Sequence, residues 1–224
     1  MRIVLALIFA ALLLAGRGVV AQQAAGEDGA TAIVVIGVET AHPSGVNSIF
    51  SDVPTIRLVF TPIDMRTLDI DPRRPPFIVE RAYCNPLALD RDDCPAGEGQ
   101  THYAAYQVPA GVYMLQSISV ANSGLIDADE AVSDLFYPPG HLVFRSTVTK
   151  ALQSEAVPKL LLAPGGIYYS GNFVVDFDGR PPGIAGIRRE DARAAEVVRE
   201  ETGIDLPMIY LDTSVAILRD GIES

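Results

Sequence analysis

The feature that most constrains the fold is a series of short apolar runs, separated by turns that are rich in proline and glycine. The clearest run is Ile167 to Phe177, where apolar side chains recur at alternate positions apart from Gly171, which is the period of a β-strand. It follows Pro164-Gly165-Gly166, a sequence typical of a turn. Runs of this length and spacing are typical of an antiparallel β-sandwich.

The rest of the chain follows the same pattern. Further strands are predicted over Thr31–Glu39, Thr55–Phe60, Phe77–Tyr83, Thr101–Val108, Val112–Ala121, Leu142–Thr147, Lys159–Ala163 and Met208–Leu211. Residues 122–140 are acidic and predict a loop. One helix is predicted, from Arg189 to Thr202, and Gly203 is a natural stop for it. The predicted fold class is therefore mostly β, an antiparallel β-sandwich with one α-helix in the C-terminal region.

The alternation in the run 167–177 also predicts which of its side chains enter the core. Those expected to be buried on one face are Tyr169, Phe173 and Val175. Those expected to face the opposite side are Ser170, Asn172 and Asp176. Gly171 interrupts the buried row, and a glycine inside a strand indicates a β-bulge or a close approach of another backbone.

Residues 1–21 predict a secretory signal peptide. Arg2 is followed by an uncharged apolar run from Ile3 to Gly16, and Val19-Val20-Ala21 supplies small or β-branched residues for cleavage. The alternative is an uncleaved membrane anchor, although the run is shorter than the roughly 20 residues that span a bilayer. Residues 22–30 predict a flexible lead-in, and residues 31–224 a single domain. The expected location is periplasmic or secreted, in a bacterium.

The charge of the chain bears on its partners. The full sequence carries −11, and removal of the signal peptide takes away Arg2 and Arg17, which leaves −13. This balance argues against binding to nucleic acid and to anionic membranes, because both would repel the protein. No stable membrane span is expected after signal cleavage.

The two cysteines, Cys84 and Cys94, are separated by nine residues in a stretch of loop composition. In an oxidising compartment, this pattern predicts a local disulfide. The alternatives are two free thiols or half of a metal site. The histidines, His42, His102 and His141, have no spacing to the cysteines that suggests a shared metal.

The sequence offers no catalytic constellation. It contains no Gly-x-Ser-x-Gly elbow, and Ser170 lies in the middle of a predicted strand, where an outward-facing hydroxyl is expected. Paired acids occur at 69 and 71, at 127 and 129, and at 176 and 178, but none completes a helix-loop-helix calcium loop. We therefore predict no catalytic, cofactor-binding or metal-binding residues, while a non-standard calcium site at an end of the sandwich stays open.

Two segments carry a resemblance. Val108-Pro109-Ala110-Gly111-Val112-Tyr113-Met114-Leu115 and, later, the segment from Ala163 to Phe173 both place a tyrosine shortly after a glycine turn. In this order the pair resembles bacterial exported and lipoprotein domains of unknown function, with a prealbumin-like or carboxypeptidase-regulatory-like β-sandwich. The resemblance covers about residues 100–205 and implies fold rather than chemistry. The chain lacks the lipidation cysteine of the lipoprotein members.

Three functions follow as hypotheses. The first is an exported cell-envelope β-sandwich with a structural or binding role, its partner an envelope protein or a polysaccharide. Another is a subunit of a larger envelope complex, with a sheet edge as its docking site. The alternative is a small secreted hydrolase or a carbohydrate-active module. The absence of tryptophan weighs against the latter, because sugar-binding faces commonly use flat aromatic rings.

Overall fold

The structure, a computed structural model, describes residues 30–40, 54–82, 101–122, 130–135, 145–176, 181–205 and 207–214. The predicted signal peptide, both cysteines, His42 and His141 lie outside these residues. In chain order the elements are β1 (Thr31–Thr40), β2 (Pro54–Asp64), β3 (Asp69–Ile70), β4 (Phe77–Ala82), β5 (His102–Pro109), β6 (Gly111–Asn122), β7 (Glu130–Asp134), α1 (Arg145–Gln153), β8 (Lys159–Leu162), β9 (Ile167–Asp176), β10 (Gly183–Arg188), α2 (Asp191–Thr202) and β11 (Ile209–Tyr210).

The strands form two sheets, so the predicted mostly β class is confirmed. The first sheet has the order β10-β9-β1-β5, and β11 also pairs with β9. The second has the order β3-β2-β6-β7, with β4 also on β2 and β8 also on β6. Within the described residues, β5 is therefore an edge strand of the first sheet, and β4 is an edge strand of the second.

Buried side chains from both sheets belong to one hydrophobic cluster, which we call the shared core. Phe60 of β2 meets Phe173 of β9 edge to face, with ring centroids 5.9 Å apart. Phe77 of β4 meets Tyr106 of β5 in the same way at 5.1 Å. Aromatic rings in such geometry stabilise a core beyond the area that they bury. The edge strands β4 and β5 thus face each other across the core.

Each helix covers the face of one sheet that points away from the shared core. Helix α2 packs Val197 and Val198 into a cluster with Val35 of β1 and Tyr169 of β9. Helix α1 packs onto the second sheet through a separate cluster, whose buried members are Ile63, Met114, Val148, Ala151, Leu152 and Val157. Because both faces of β1 are covered, this strand appears in the sequence as a continuous apolar run and not as an alternation.

The prediction of a single helix is wrong. Residues 145–147 belong to helix α1, although Leu142–Thr147 was predicted as a strand; residues 142–144 lie outside the described part of the chain. The helix buries Val148, Ala151 and Leu152, which have the three- and four-residue spacing of one helical face. The predicted loop over residues 122–140 is also wrong in part, because it contains β7.

The prediction of a purely antiparallel arrangement is wrong for the first sheet. Strand β9 runs parallel to β1 and to β11, whereas β1–β5, β9–β10 and the pairs of the second sheet are antiparallel. A short hairpin forces antiparallel pairing only between strands that are neighbours in sequence. All six strands of the second sheet lie between β1 and β9 in sequence, so the alternation of side chains leaves their relative direction open.

The face assignment along β9 is wrong, and the reason is a β-bulge. Two steps along β1, from Val35 to Gly37, match three steps along β9, from Tyr169 to Asn172. Gly171 adopts a φ of +87° at this point, and a Cβ there would lie 2.5 Å from Ile187 Cγ2. The extra residue reverses the alternation. Tyr169 therefore faces α2, whereas Phe173 faces the shared core.

The burial expected at Tyr169, Phe173 and Val175 is confirmed. Ser170 and Asn172, however, are also fully buried, because helix α2 and the strands beside β9 leave little of either face open to solvent. The predicted turns at residues 109–111 and 164–166 lead into β6 and β9. Gly203 ends α2 in the left-handed conformation, and its N–H donates to the carbonyl of Arg199 at 3.1 Å.

Candidate functional site

A polar cluster with a buried centre lies on the side of the first sheet that faces α2. Its centre is Asn172, whose Oδ1 accepts a hydrogen bond from the Tyr169 hydroxyl at 2.7 Å. Asn172 Nδ2 donates to the hydroxyl of Tyr103 at 2.9 Å and to Thr101 Oγ1 at 3.4 Å. The asparagine approaches β1 at Gly37, where a Cβ would lie 2.1 Å from its Oδ1. Only glycine leaves room for this amide.

Two carboxylates complete the cluster. The hydroxyl of Tyr103 donates to Glu190, just before α2, and the backbone N–H of Glu190 donates to Tyr169 at 2.9 Å. Glu39 is largely buried on β1, and its Oε1 accepts from Arg188 at 2.7 Å. These bonds tie β1, β5, β9 and β10 to the start of α2.

The tyrosines of this cluster act as neutral hydrogen-bonding groups. Burial, together with the Glu190 carboxylate, raises the pKa of Tyr103 to about 12. Burial also raises the pKa of Tyr169 well above its ordinary value. Both phenols stay protonated at neutral pH and are poor bases there. Since the polar groups of Asn172 and both hydroxyls have partners, the cluster is best explained as an internal brace.

Lys159 is a second buried polar residue, with only 1% of its surface exposed. Its Nζ donates to the carbonyls of Ser154 and Val157 at 2.6 and 2.7 Å. Burial lowers its pKa, and the charges of Glu155 and Asp212 oppose that shift. The two carbonyls belong to the turn that follows α1, so the buried ammonium group stabilises this turn.

Asp71, one of the paired acids, holds the proline-rich loop after β3. Arg73 Nε lies 2.9 Å from its Oδ1, and Arg74 Nε lies 3.2 Å from its Oδ2. The hydrogen bond from Arg73 is the main cause that lowers the pKa of Asp71. Arg74 also lies over the ring of Tyr113, 5.2 Å from its centroid. The acid therefore has arginine partners.

A different situation exists between the facing edge strands β4 and β5. The guanidinium of Arg81, near the end of β4, lies over the ring of Tyr106 with its carbon 5.5 Å from the centroid. Arg81 Nε and the Tyr106 hydroxyl are both buried, and neither makes a hydrogen bond of standard geometry, although Arg81 lies close enough to the hydroxyl to act against the rise that burial causes in the pKa of Tyr106. Tyr106 is only 6% exposed. We call Arg81, Tyr106 and the nearby His102 the edge-strand site.

His102 begins β5 and lies on the same face of that strand as Tyr106, four residues on. Burial lowers the pKa of His102, and the positive charge of Arg81 lowers it further. The imidazole is therefore mainly neutral at pH 7. Among the described residues, Arg81 takes part in none of the ion pairs. The site thus holds one fixed positive charge beside a neutral ring and an unpaired hydroxyl.

His102 was considered from the sequence, but Arg81 and Tyr106 were not singled out, although a signal was present. Phe77, Val79 and Arg81 occupy alternate positions of β4, and the first two are buried in the shared core. An arginine that continues an inward-facing row is unusual and indicates either a partner or a ligand. The missing information was the opposing tyrosine, which only the packing of the two sheets brings close.

The arrangement provides recognition groups for an anion. A guanidinium offers donors in a planar fork, and a tyrosine hydroxyl can add one more.

Ser170, the serine considered as a nucleophile, is fully buried, and its hydroxyl donates to the carbonyl of Val35 at 3.3 Å. Its predicted outward orientation is wrong. Among the described residues no group of three or more histidine, cysteine or acidic side chains could hold a metal ion.

No helix in the described part of the chain is long and apolar enough to cross a membrane. No protein-family model matches the sequence, and no curated protein matches it. Among solved structures, a leucine-rich repeat protein from Bacteroides thetaiotaomicron covers 66% of this chain at 9% sequence identity, with a TM-score of 0.28. The chain spans 14% of that protein's length.

Proposed function

We propose that this chain is an exported protein of the bacterial cell envelope, a β-sandwich that binds a partner or ligand and catalyses no reaction. Export is supported by the charge and apolar pattern of residues 1–21. The sandwich is supported by the shared core, in which Phe60 and Phe173 from different sheets are in contact. The resemblance noted above between residues 100 and 205 is consistent with this architecture.

The observation that carries the binding role is the edge-strand site. Most buried polar groups in folded proteins are hydrogen-bonded, and a buried group without a partner is a feature that requires an explanation. Two such atoms, Arg81 Nε and the Tyr106 hydroxyl, occur together here. A ligand or a partner group that reaches the site would satisfy both. Other polar groups, such as those of Asn172, have their partners within the chain.

Export is tested first, in the bacterium that encodes the chain. The protein is recovered from periplasmic and culture fractions, and its N-terminus is read by mass spectrometry. We expect a mature terminus at Gln22 or within a few residues of it. Recovery of the intact Met1 terminus in membranes would establish an anchor and contradict export with cleavage.

The binding role is tested by capture from cross-linked cells, with wild type compared with Arg81→Gln. Enrichment of specific envelope proteins would identify a protein partner, and retention on isolated cell-wall or polysaccharide fractions would identify a polysaccharide. Either outcome supports the binding role if the Arg81→Gln variant loses that enrichment or retention. Turnover of ester or glycoside substrates by the purified protein would instead support the alternative of a secreted hydrolase.

A further inference from the structure

The edge-strand site lies where the inner faces of two edge strands meet. On β4 the inner row consists of Phe77, Val79 and Arg81, and the first two are almost completely buried. On β5 the opposing row contains Tyr106 and, two residues before it, Ala104. The ring of Phe77 contacts the ring of Tyr106, with the two centroids 5.1 Å apart. The charged head of Arg81 is therefore placed beside an aromatic and aliphatic wall.

From this geometry, and resting on the proposed binding role, we infer that the edge-strand site recognises the carboxylate of a small organic anion. Arg81 supplies the positive charge and a fork of N–H donors that matches a carboxylate. The hydroxyl of Tyr106 donates a further hydrogen bond to the same group. The contact between the guanidinium and the tyrosine ring holds the fork in place before the ligand arrives.

The charge of the site favours a singly charged ligand over phosphate. The edge-strand site contains one cationic residue, because the lowered pKa of His102 leaves the imidazole mainly neutral at pH 7. Glu201 lies along the edge of β5, where its Oε2 accepts the backbone N–H of Ala105 at 2.8 Å. Burial is the main cause that raises the pKa of Tyr106, the charge of Arg81 opposes that rise, and the negative charge of Glu201 adds to it and disfavours a dianion nearby. The ring of Tyr106, over which the guanidinium lies, favours an apolar body on the carboxylate.

The test is a titration of the purified mature protein with benzoate, followed by calorimetry and by ligand-observed NMR. Benzamide has the same ring without the charge, and inorganic phosphate has charge without the ring. We expect saturable binding of benzoate below about 10 mM, with benzamide and phosphate at least about tenfold weaker. Absence of saturable binding, or equal binding of benzamide, overturns the inference.

The variants locate the binding. Arg81→Gln is expected to weaken benzoate by at least about tenfold, and Arg81→Lys to weaken it too, since lysine lacks the fork. The matched control is Arg57→Gln. Arg57 lies on β2, where it is exposed and paired with Glu80 at 3.0 Å, and its loss should change affinity by less than about twofold. Unchanged affinity in Arg81→Gln, or an equal loss in Arg57→Gln, overturns the assignment.

Should Arg81→Gln fail to fold, Tyr106→Phe decides, because it keeps the ring and removes only the unpaired hydroxyl. We expect weaker benzoate binding with the fold intact, and unchanged affinity overturns the inference. The result is separable from the proposed function. Failure of benzoate with successful export and partner capture rejects only the ligand class. Binding of benzoate by a protein that is not exported keeps the site and rejects the envelope role.

Discussion

Tyr106→Phe should make the unliganded protein more stable, which is unusual for a substitution in a core. The hydroxyl is buried and makes no hydrogen bond of standard geometry, and such a group costs about 1–3 kcal/mol of stability. A phenylalanine ring preserves the contact with the ring of Phe77, whose centroid is 5.1 Å away, and with the guanidinium carbon of Arg81, 5.5 Å from the ring centroid. We therefore expect the free energy of unfolding to rise by about 1–2 kcal/mol.

Two other tyrosines provide matched controls, because their hydroxyls are bonded. Tyr113 donates to the carbonyl of Pro109 at 2.9 Å, so Tyr113→Phe should lose about 0.5–1.5 kcal/mol. Tyr169 donates to Asn172 and accepts from the N–H of Glu190. Tyr169→Phe leaves both groups without that partner and should lose about 1–3 kcal/mol. The three substitutions remove the same atom and differ only in its surroundings.

Urea unfolding measures all three variants beside the wild type, and an unchanged slope allows the midpoints to be compared. For a domain of this size, each kcal/mol corresponds to about 2–4 °C in melting temperature, which gives an independent reading. A Tyr106→Phe protein that loses about 1 kcal/mol or more would show that the hydroxyl has a partner in solution. That result would remove the main reason for assigning a ligand to the edge-strand site.

Three further predictions follow from other parts of the molecule. Phe173→Ala should lose about 3–5 kcal/mol in urea unfolding, because the ring is fully buried in the shared core; a near-neutral effect would contradict the packing of the two sheets. Cys84 and Cys94 should resist thiol labelling after unfolding without reductant, and the closed loop should contribute roughly 2–3 kcal/mol. Two labelled thiols would exclude the bond. The raised pKa of Tyr103, about 12, makes its contribution to stability complete below about pH 10 and lost as the pH rises through 12. Unfolding measured from about pH 9 to pH 12 should show this loss, and Tyr103→Phe should reduce it.

Much of the strand layout could be predicted from the sequence, because turns are local. Pro109-Ala110-Gly111 and Pro164-Gly165-Gly166 each restrict the backbone within three residues, and β6 and β9 begin at these turns. Gly203 ends α2 for an equally local reason. Features of this kind need no information about distant parts of the chain.

The face and direction of β9 could not be predicted in the same way. Alternation reports which side of a strand is buried only when one side is open, and here α2 covers the second side. The bulge at Gly171 then shifts the alternation by one residue, so Tyr169 and Phe173 lie on opposite faces. The parallel pairing of β9 with β1 depends on the path of the 126 residues between them.

The two polar groupings that contain residues of β5 separate a structural from a functional explanation by one criterion, which is whether their hydrogen bonds are complete. Around Asn172, the amide and the hydroxyls of Tyr169 and Tyr103 have partners that the fold itself supplies. At the edge-strand site, Tyr106 is nearly as buried as Tyr169, yet its hydroxyl makes no hydrogen bond of standard geometry. A fold selected for stability alone would gain by replacing that tyrosine with phenylalanine, whereas a site that uses the hydroxyl for binding retains it. Whether Tyr106→Phe gains stability and loses benzoate binding therefore tests both halves of this explanation in one protein.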